Sequence, residues 1–193
     1  MRRFQTTWVI PALLLLPLAC NGGAAAPVPP RAPPSASVPT PPAPAAVPAA
    51  TPATAFTCCG DDAAGAVVGA YLGAQAALAK DDNAGAGAAL TTLQAGLEAA
   101  KAQPGLDEAG KGVLAAIATE SGAALAATEL EPRRAAFKKL SAAVIPFARA
   151  HAGGSRSVTE AFCPMASASW LQEGGTIANP YYGSSMLTCG SFK

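Results

Sequence analysis

The chain has 193 residues, of which 51% are hydrophobic and 13% charged, and its formal net charge is +1. With no basic run and no basic–aromatic interleaving, that balance excludes an electrostatic nucleic-acid binder, and there is no acidic tail. Eighteen prolines and five cysteines pose the two remaining questions, namely how much of the chain can fold and where its sulfurs go.

In chain order, Arg2 and Arg3 precede an apolar stretch from Trp8 to Leu18 that Pro11 and Pro17 interrupt. The stretch is roughly half of the ~20 residues a spanning helix needs, so residues 1–19 read as a secretory signal peptide. Leu18-Ala19-Cys20 resembles the end of a bacterial lipoprotein signal, with Pro17 where that pattern usually has leucine. The resemblance implies cleavage before Cys20, lipid on Cys20, and a lipid-anchored protein of the bacterial cell envelope. Asn21 stands where an aspartate retains some lipoproteins on the inner membrane, so the outer membrane is the default. Cleavage after Ala24-Ala25-Ala26 is the alternative, and it would leave Pro27 at the new N-terminus.

Residues 20–55 are expected to form the lipid attachment and a disordered Pro/Ala-rich tether. From Asn21 onward this stretch is nearly all Ala, Pro, Val, Ser and Thr, with Arg31 its only charge. Each proline removes a backbone donor and fixes φ, so neither helix nor sheet propagates. Extended polyproline II at ~3.1 Å per residue gives a reach on the order of 100 Å.

Residues 56–193 are one domain by length, and the expected fold class is mostly α: an up-and-down bundle of about four helices. The first helix runs from about Asp62 to Lys80, with Asp61 or Asp62 as N-cap and a stripe of Val67, Val68, Tyr71, Leu72, Gln75 and Leu78. Asp81-Asp82-Asn83 ends it and caps a second helix, striped by Leu90, Leu93 and Leu97. Pro104-Gly105 breaks the chain before a third, in which Leu106, Val113, Leu114, Ile117 and Leu125 are expected to face inward. The fourth opens at Glu131-Pro132, with proline suited to the first helical position. Its stripe of Phe137, Leu140, Val144, Phe147 and His151 ends at Gly153-Gly154.

After Gly154 the helical periodicity is lost. The tail, residues 155–193, is expected to be irregular or a short hairpin, with Ser157 to Cys163 as one strand and Trp170-Leu171 pairing with it. Asn179-Pro180 and Gly183 mark turns, and Phe162, Trp170, Tyr181 and Tyr182 are expected to anchor the tail on the bundle.

Beyond the signal, the chain contains two methionines, and each lies near a cysteine: Cys163-Pro164-Met165 and Met186-Leu187-Thr188-Cys189. If the tail folds back on itself, two thiolates and two thioethers converge. Such soft donors suit Cu(I) or Ag(I) over hard cations, and methionine serves zinc poorly. Cys163, Met165, Met186 and Cys189 are therefore the candidate metal ligands, with His151, Cys58 and Cys59 as further possibilities. The alternative is a Cys163–Cys189 disulfide, which suits an oxidising compartment and stabilises by roughly 3 kcal/mol. Assigning Cys20 to lipid leaves four cysteines and three possible pairings. His151, the only histidine, fits a core or capping role at a helix C-terminus. No nucleophile pattern, haem attachment motif or Gly-rich phosphate loop is present, so an enzyme is not expected.

The runs Phe162-Cys163-Pro164-Met165-Ala166, Trp170-Leu171, Asn179-Pro180-Tyr181-Tyr182-Gly183, Met186-Leu187 and Cys189-Gly190 together resemble a known, uncharacterised helical domain. That domain occurs alone in bacterial envelope proteins or appended to membrane-fusion adaptors of copper and silver efflux systems. The likeness spans about Ala66 to Gly190 and includes Arg134, Phe137 and Leu140-Ser141, with a shorter spacer between Met165 and Trp170. It implies a helical domain linked to heavy-metal handling, with efflux components as partners.

Overall fold

In a computed structural model, residues 55–104 and 107–193 are described. The signal segment, Cys20, the tether up to residue 54, and Leu106 lie outside the described residues. Four helices form a bundle: α1 (Ala63–Ala79), α2 (Asn83–Lys101), α3 (Glu108–Ala126) and α4 (Leu130–Ala150). Among the described residues, no helix is long and apolar enough to cross a membrane.

The first three helices start from one sequence device, Asp-x-x-Gly. Asp62, Asp82 and Asp107 each accept the backbone N–H of the glycine three residues on, at 2.8, 2.8 and 2.7 Å. Each carboxylate satisfies an orphan donor and places negative charge at a helix N-terminus. α4 starts differently from the sequence expectation: Leu130 is its first residue and Pro132 its third, and Glu129 makes no side-chain cap bond. Arg133 instead ties this end of α4 to its neighbours by donating to the carbonyls of Asn83, Ala124 and Ala127.

The expected stripes form the core. Val67, Val68, Tyr71, Leu78, Leu90, Leu93, Leu97, Leu114, Ile117, Phe137, Leu140 and Val144 are all buried. Three residues depart from the expectation. Val113 is 40% exposed and Leu125 only partly buried, because the inward face of α3 is narrow and is carried by Leu114, Ile117, Ser121 and Ala124. His151 leaves the core stripe but takes the capping position expected as its alternative: it is the exposed C-cap of α4, its Nδ1 2.8 Å from the Phe147 carbonyl. Small residues bring helices together, as a Cβ at Gly96 would already touch the Val67 backbone at 3.5 Å. The N-termini of α1 and α3 and the C-termini of α2 and α4 meet around one hollow, as antiparallel order requires.

The tail is more regular than expected. Strands β1 (Ala55–Cys58), β2 (Arg156–Cys163), β3 (Ala168–Gln172) and β4 (Ser191–Phe192) form one antiparallel sheet. The anticipated hairpin is present as β2–β3, with Ala161 opposite Trp170 and Cys163 opposite Ala168. β1 and β4 share the other edge of β2: β1 pairs with Arg156–Thr159, and β4 with Ala161 and Phe162. Neither edge strand was expected from sequence, since four and two residues carry too little pattern to read. Ala55, assigned to the tether, opens β1.

Trp170 and Leu171 are fully buried, and Tyr71 of α1 bridges bundle and sheet. Its hydroxyl accepts the Leu171 N–H at 3.2 Å and meets Ser141 of α4 at 2.8 Å, while its ring stacks on Phe137. Tyr181 meets Trp170 edge-on and Phe137 at a tilt, so the tail aromatics continue the core. Phe162 does not anchor the tail as expected. It is only partly buried, and Lys193 lies over its ring, because alternation along β2 sends it to the face opposite Ala161 and Cys163.

Candidate functional site: a cysteine pair in the tail

Two elements carry the two sulfurs. Cys163 is the last residue of β2, and Cys189 lies between a 3₁₀ turn (Gly183–Met186) and β4. Their Sγ atoms are 3.1 Å apart, and both are thiols. Since β4 returns along the edge of β2, its pairing of Phe162 with Ser191 sets how close Cys189 comes to Cys163.

Three further features hold the pair. Asn179 is fully buried; its Nδ2 donates to the Cys189 carbonyl at 2.7 Å, and its Oδ1 accepts the Tyr181 N–H at 2.8 Å. The backbone N–H of Cys189 donates to the Met186 carbonyl at 3.0 Å. Gly190 has φ +138°, and a Cβ there would lie 2.9 Å from both the Phe162 carbonyl oxygen and the Trp170 ring. Only glycine lets the chain leave Cys189 along this path.

The turn after Cys163 is shaped around its sulfur. The Ala166 N–H donates to Cys163 Sγ at 3.5 Å. Burial alone would push this thiol up. The N–H of Ala166, the Cys189 thiol, the Asn179 side chain and the Met165 N–H oppose burial, and the net effect lowers it. Cys189 moves the other way, because it donates to Cys163, is partly desolvated, and sits beside negative charge on its partner. The pair is therefore asymmetric: a buried Cys163 whose surroundings lower its thiol, and a partly exposed Cys189 whose surroundings raise it.

The other candidates lie elsewhere or at the margin. Met165 is 62% exposed and borders a hollow with Glu131, Arg134, Lys138 and Tyr182. Met186 is partly buried in the 3₁₀ turn. His151 sits at the opposite end of α4 from the hollow that Met165 borders, against Phe147 with ring centroids 4.3 Å apart. Its carbonyl accepts the Cys59 N–H at 2.9 Å, which places it beside the second cysteine pair. Cys58 and Cys59 are both buried where β1 joins the bundle, and Cys59 has φ +53°. Burial first, then Cys58 and Asp62, push the Cys59 thiol up to about 12, against a smaller pull from Arg156. Among the described residues, no three His, Cys, Asp or Glu side chains cluster as a cation site.

Sequence reasoning missed Asn179, Gly190 and the Ala166 N–H as parts of this site. Asn179 read only as a turn signal, and nothing in local spacing marks its side chain as buried. Comparison with known proteins gives no match, whether to a family model, a curated protein or a solved structure.

Proposed function

We propose that this is an envelope-tethered binding protein for a soft monovalent cation, Cu(I) or Ag(I), which it buffers or delivers to efflux components. In this reading Cys20 carries the lipid anchor, most simply in the outer membrane, and the Pro/Ala-rich segment is the tether. Cys163 and Cys189 are the holding thiolates, and Met165 and Met186 are the thioethers that work with them.

The observation that carries the reading is the turn after Cys163. A buried sulfur that accepts the Ala166 N–H and lies 3.1 Å from a second thiol is favourably placed to bear negative charge, and thiolate is the form that binds soft metals. With metal–sulfur bonds of about 2.3 Å, two sulfurs 3.1 Å apart subtend about 85° at the ion. Linear two-coordination therefore requires the Cys189 segment to move outward by roughly 1.5 Å.

The same distance favours a second reading, an interaction module that binds no metal and whose tail is closed by a Cys163–Cys189 disulfide. Closing from 3.1 Å to the ~2.05 Å of a disulfide needs a shift of only about 1 Å.

Cu(I) loading of the reduced full chain, with competition by a chromogenic chelator, separates the readings. The expected result is one ion per chain in the wild type, lost in Cys163→Ser and Cys189→Ser. Equal binding by wild type and a Met165→Leu/Met186→Leu double variant would remove the methionines from the site. Absence of binding by the reduced wild type would leave the disulfide reading, which mass analysis of the native thiols reports directly.

A further inference from the structure

The sulfurs of the tail differ sharply in access. Cys163 is fully buried and Cys189 partly so, whereas Met165, two residues along the same turn, is 62% exposed. Among the described residues three large apolar side chains are exposed, Val113 and Leu187 at 40% and Met165 at 62%. Two of the three flank the cysteine pair, since Leu187 lies two residues before Cys189.

The exposure of Met165 does not come from a loose backbone. Pro164 fixes one dihedral before it, and the Ser167 N–H and hydroxyl both return to the Pro164 carbonyl, at 3.1 and 3.2 Å. Lys138 of α4 donates to the Ala166 carbonyl from the bundle side. The turn is thus pinned at both ends while it presents a thioether to solvent. A methionine held outward gives up the burial that normally stabilises it, and it offers a soft, permanently unprotonated donor in return.

We propose that Met165 is the exchange ligand of the site: it takes the soft cation from a carrier protein that presents thiolate or thioether sulfur, and passes it inward to Cys163 and Cys189. This rests on the soft-metal reading above and adds to it a route and a class of partner. The transfer is ligand substitution without electron transfer. A bond from the ion to Met165 forms as a bond to the carrier's sulfur breaks, and bonds to the two cysteines then replace the Met165 bond. The cation keeps its charge, and the proton of each thiol that binds it leaves to solvent. Delivery runs through the same steps in reverse.

The test separates rate from affinity, using the reduced full chain, Cu(I) and a chromogenic Cu(I) chelator as acceptor. Met165→Leu is expected to slow stopped-flow transfer by about tenfold while weakening affinity by only about threefold, because the two cysteines and Met186 still hold the ion. Leucine at an exposed site leaves the fold intact, which circular dichroism checks. Equal transfer rates in wild type and variant would overturn the exchange role while leaving the soft-metal reading in place. A parallel loss of affinity and rate would make Met165 a resident ligand and also overturn it. Absence of Cu(I) binding by the wild type itself would end both.

Discussion

The two cysteine pairs of this domain are an internal control on each other. Cys58 and Cys59 are neighbours in sequence, whereas Cys163 and Cys189 are 26 residues apart and meet only through the sheet. Cys59 and Cys163 are buried to nearly the same degree, yet one thiol is pushed up to about 12 and the other is lowered. Burial raises both thiols and is the largest cause at Cys59, so the difference lies in what opposes it. Around Cys163, backbone N–H groups and the Asn179 side chain stabilise the charged form, while around Cys59 the neighbouring Cys58 and Asp62 disfavour it. The contrast separates a cysteine whose polar neighbours oppose the effect of burial from one whose neighbours add to it.

The largest expected effect comes from removing the wall behind the tail pair. Trp170 is fully buried, donates to Gln172 at 2.9 Å and stacks edge-on against Tyr181. Trp170→Ala should destabilise the domain by about 3–5 kcal/mol in chemical denaturation, the usual cost of so large a core deletion. It should also free Cys189 from Cys163, so that the rate of thiol alkylation at Cys163 approaches that of an ordinary exposed cysteine. An unchanged rate would mean that the hairpin alone holds the pair.

A smaller change acts on geometry with little loss of core. Gly190→Ala places a Cβ against the Phe162 carbonyl and the Trp170 ring at a positive φ, and should cost about 1–3 kcal/mol. Displacement of Cys189 should lower the yield of oxidative Cys163–Cys189 cross-linking. A wild-type yield would show that the path through residue 190 is not what brings the sulfurs together.

The smallest effect, in pH, belongs to the other pair. The Cys59 thiol is raised from 9.0 to about 12, so the fold holds a proton that the unfolded chain releases. The resulting stabilisation is fully present below pH 9 and is lost as pH rises from 9 through about 12. Cys59→Ala should flatten that part of the stability–pH curve. At neutral pH, Cys58 and Cys59 should resist alkylation until denaturant is added, whereas Cys189 labels in the native protein.

Much of the bundle is legible in the chain because its determinants are local. Asp62, Asp82 and Asp107 stand at three helix starts, and each reaches a backbone N–H only three residues away. The leucine stripes of α2 and the aromatic stripe of α4 follow from 3.6-residue periodicity alone. Where a residue's fate depended on a distant neighbour, local pattern misled. His151 continues the spacing of α4 but lies where the helix has left the core, and Phe162 has core chemistry on the open face of β2.

By itself, then, the sequence determined four helices, the β2–β3 hairpin, and the identity of the sulfur-bearing residues. Only the tertiary structure decided which sulfurs meet. The 3.1 Å approach of Cys163 and Cys189 needs β4 to return along the edge of β2, Asn179 to be buried under the Cys189 carbonyl, and Gly190 to slip past Trp170. Each is a contact between segments that no spacing rule links, so the cysteines are visible in the chain but their partnership is made by the fold.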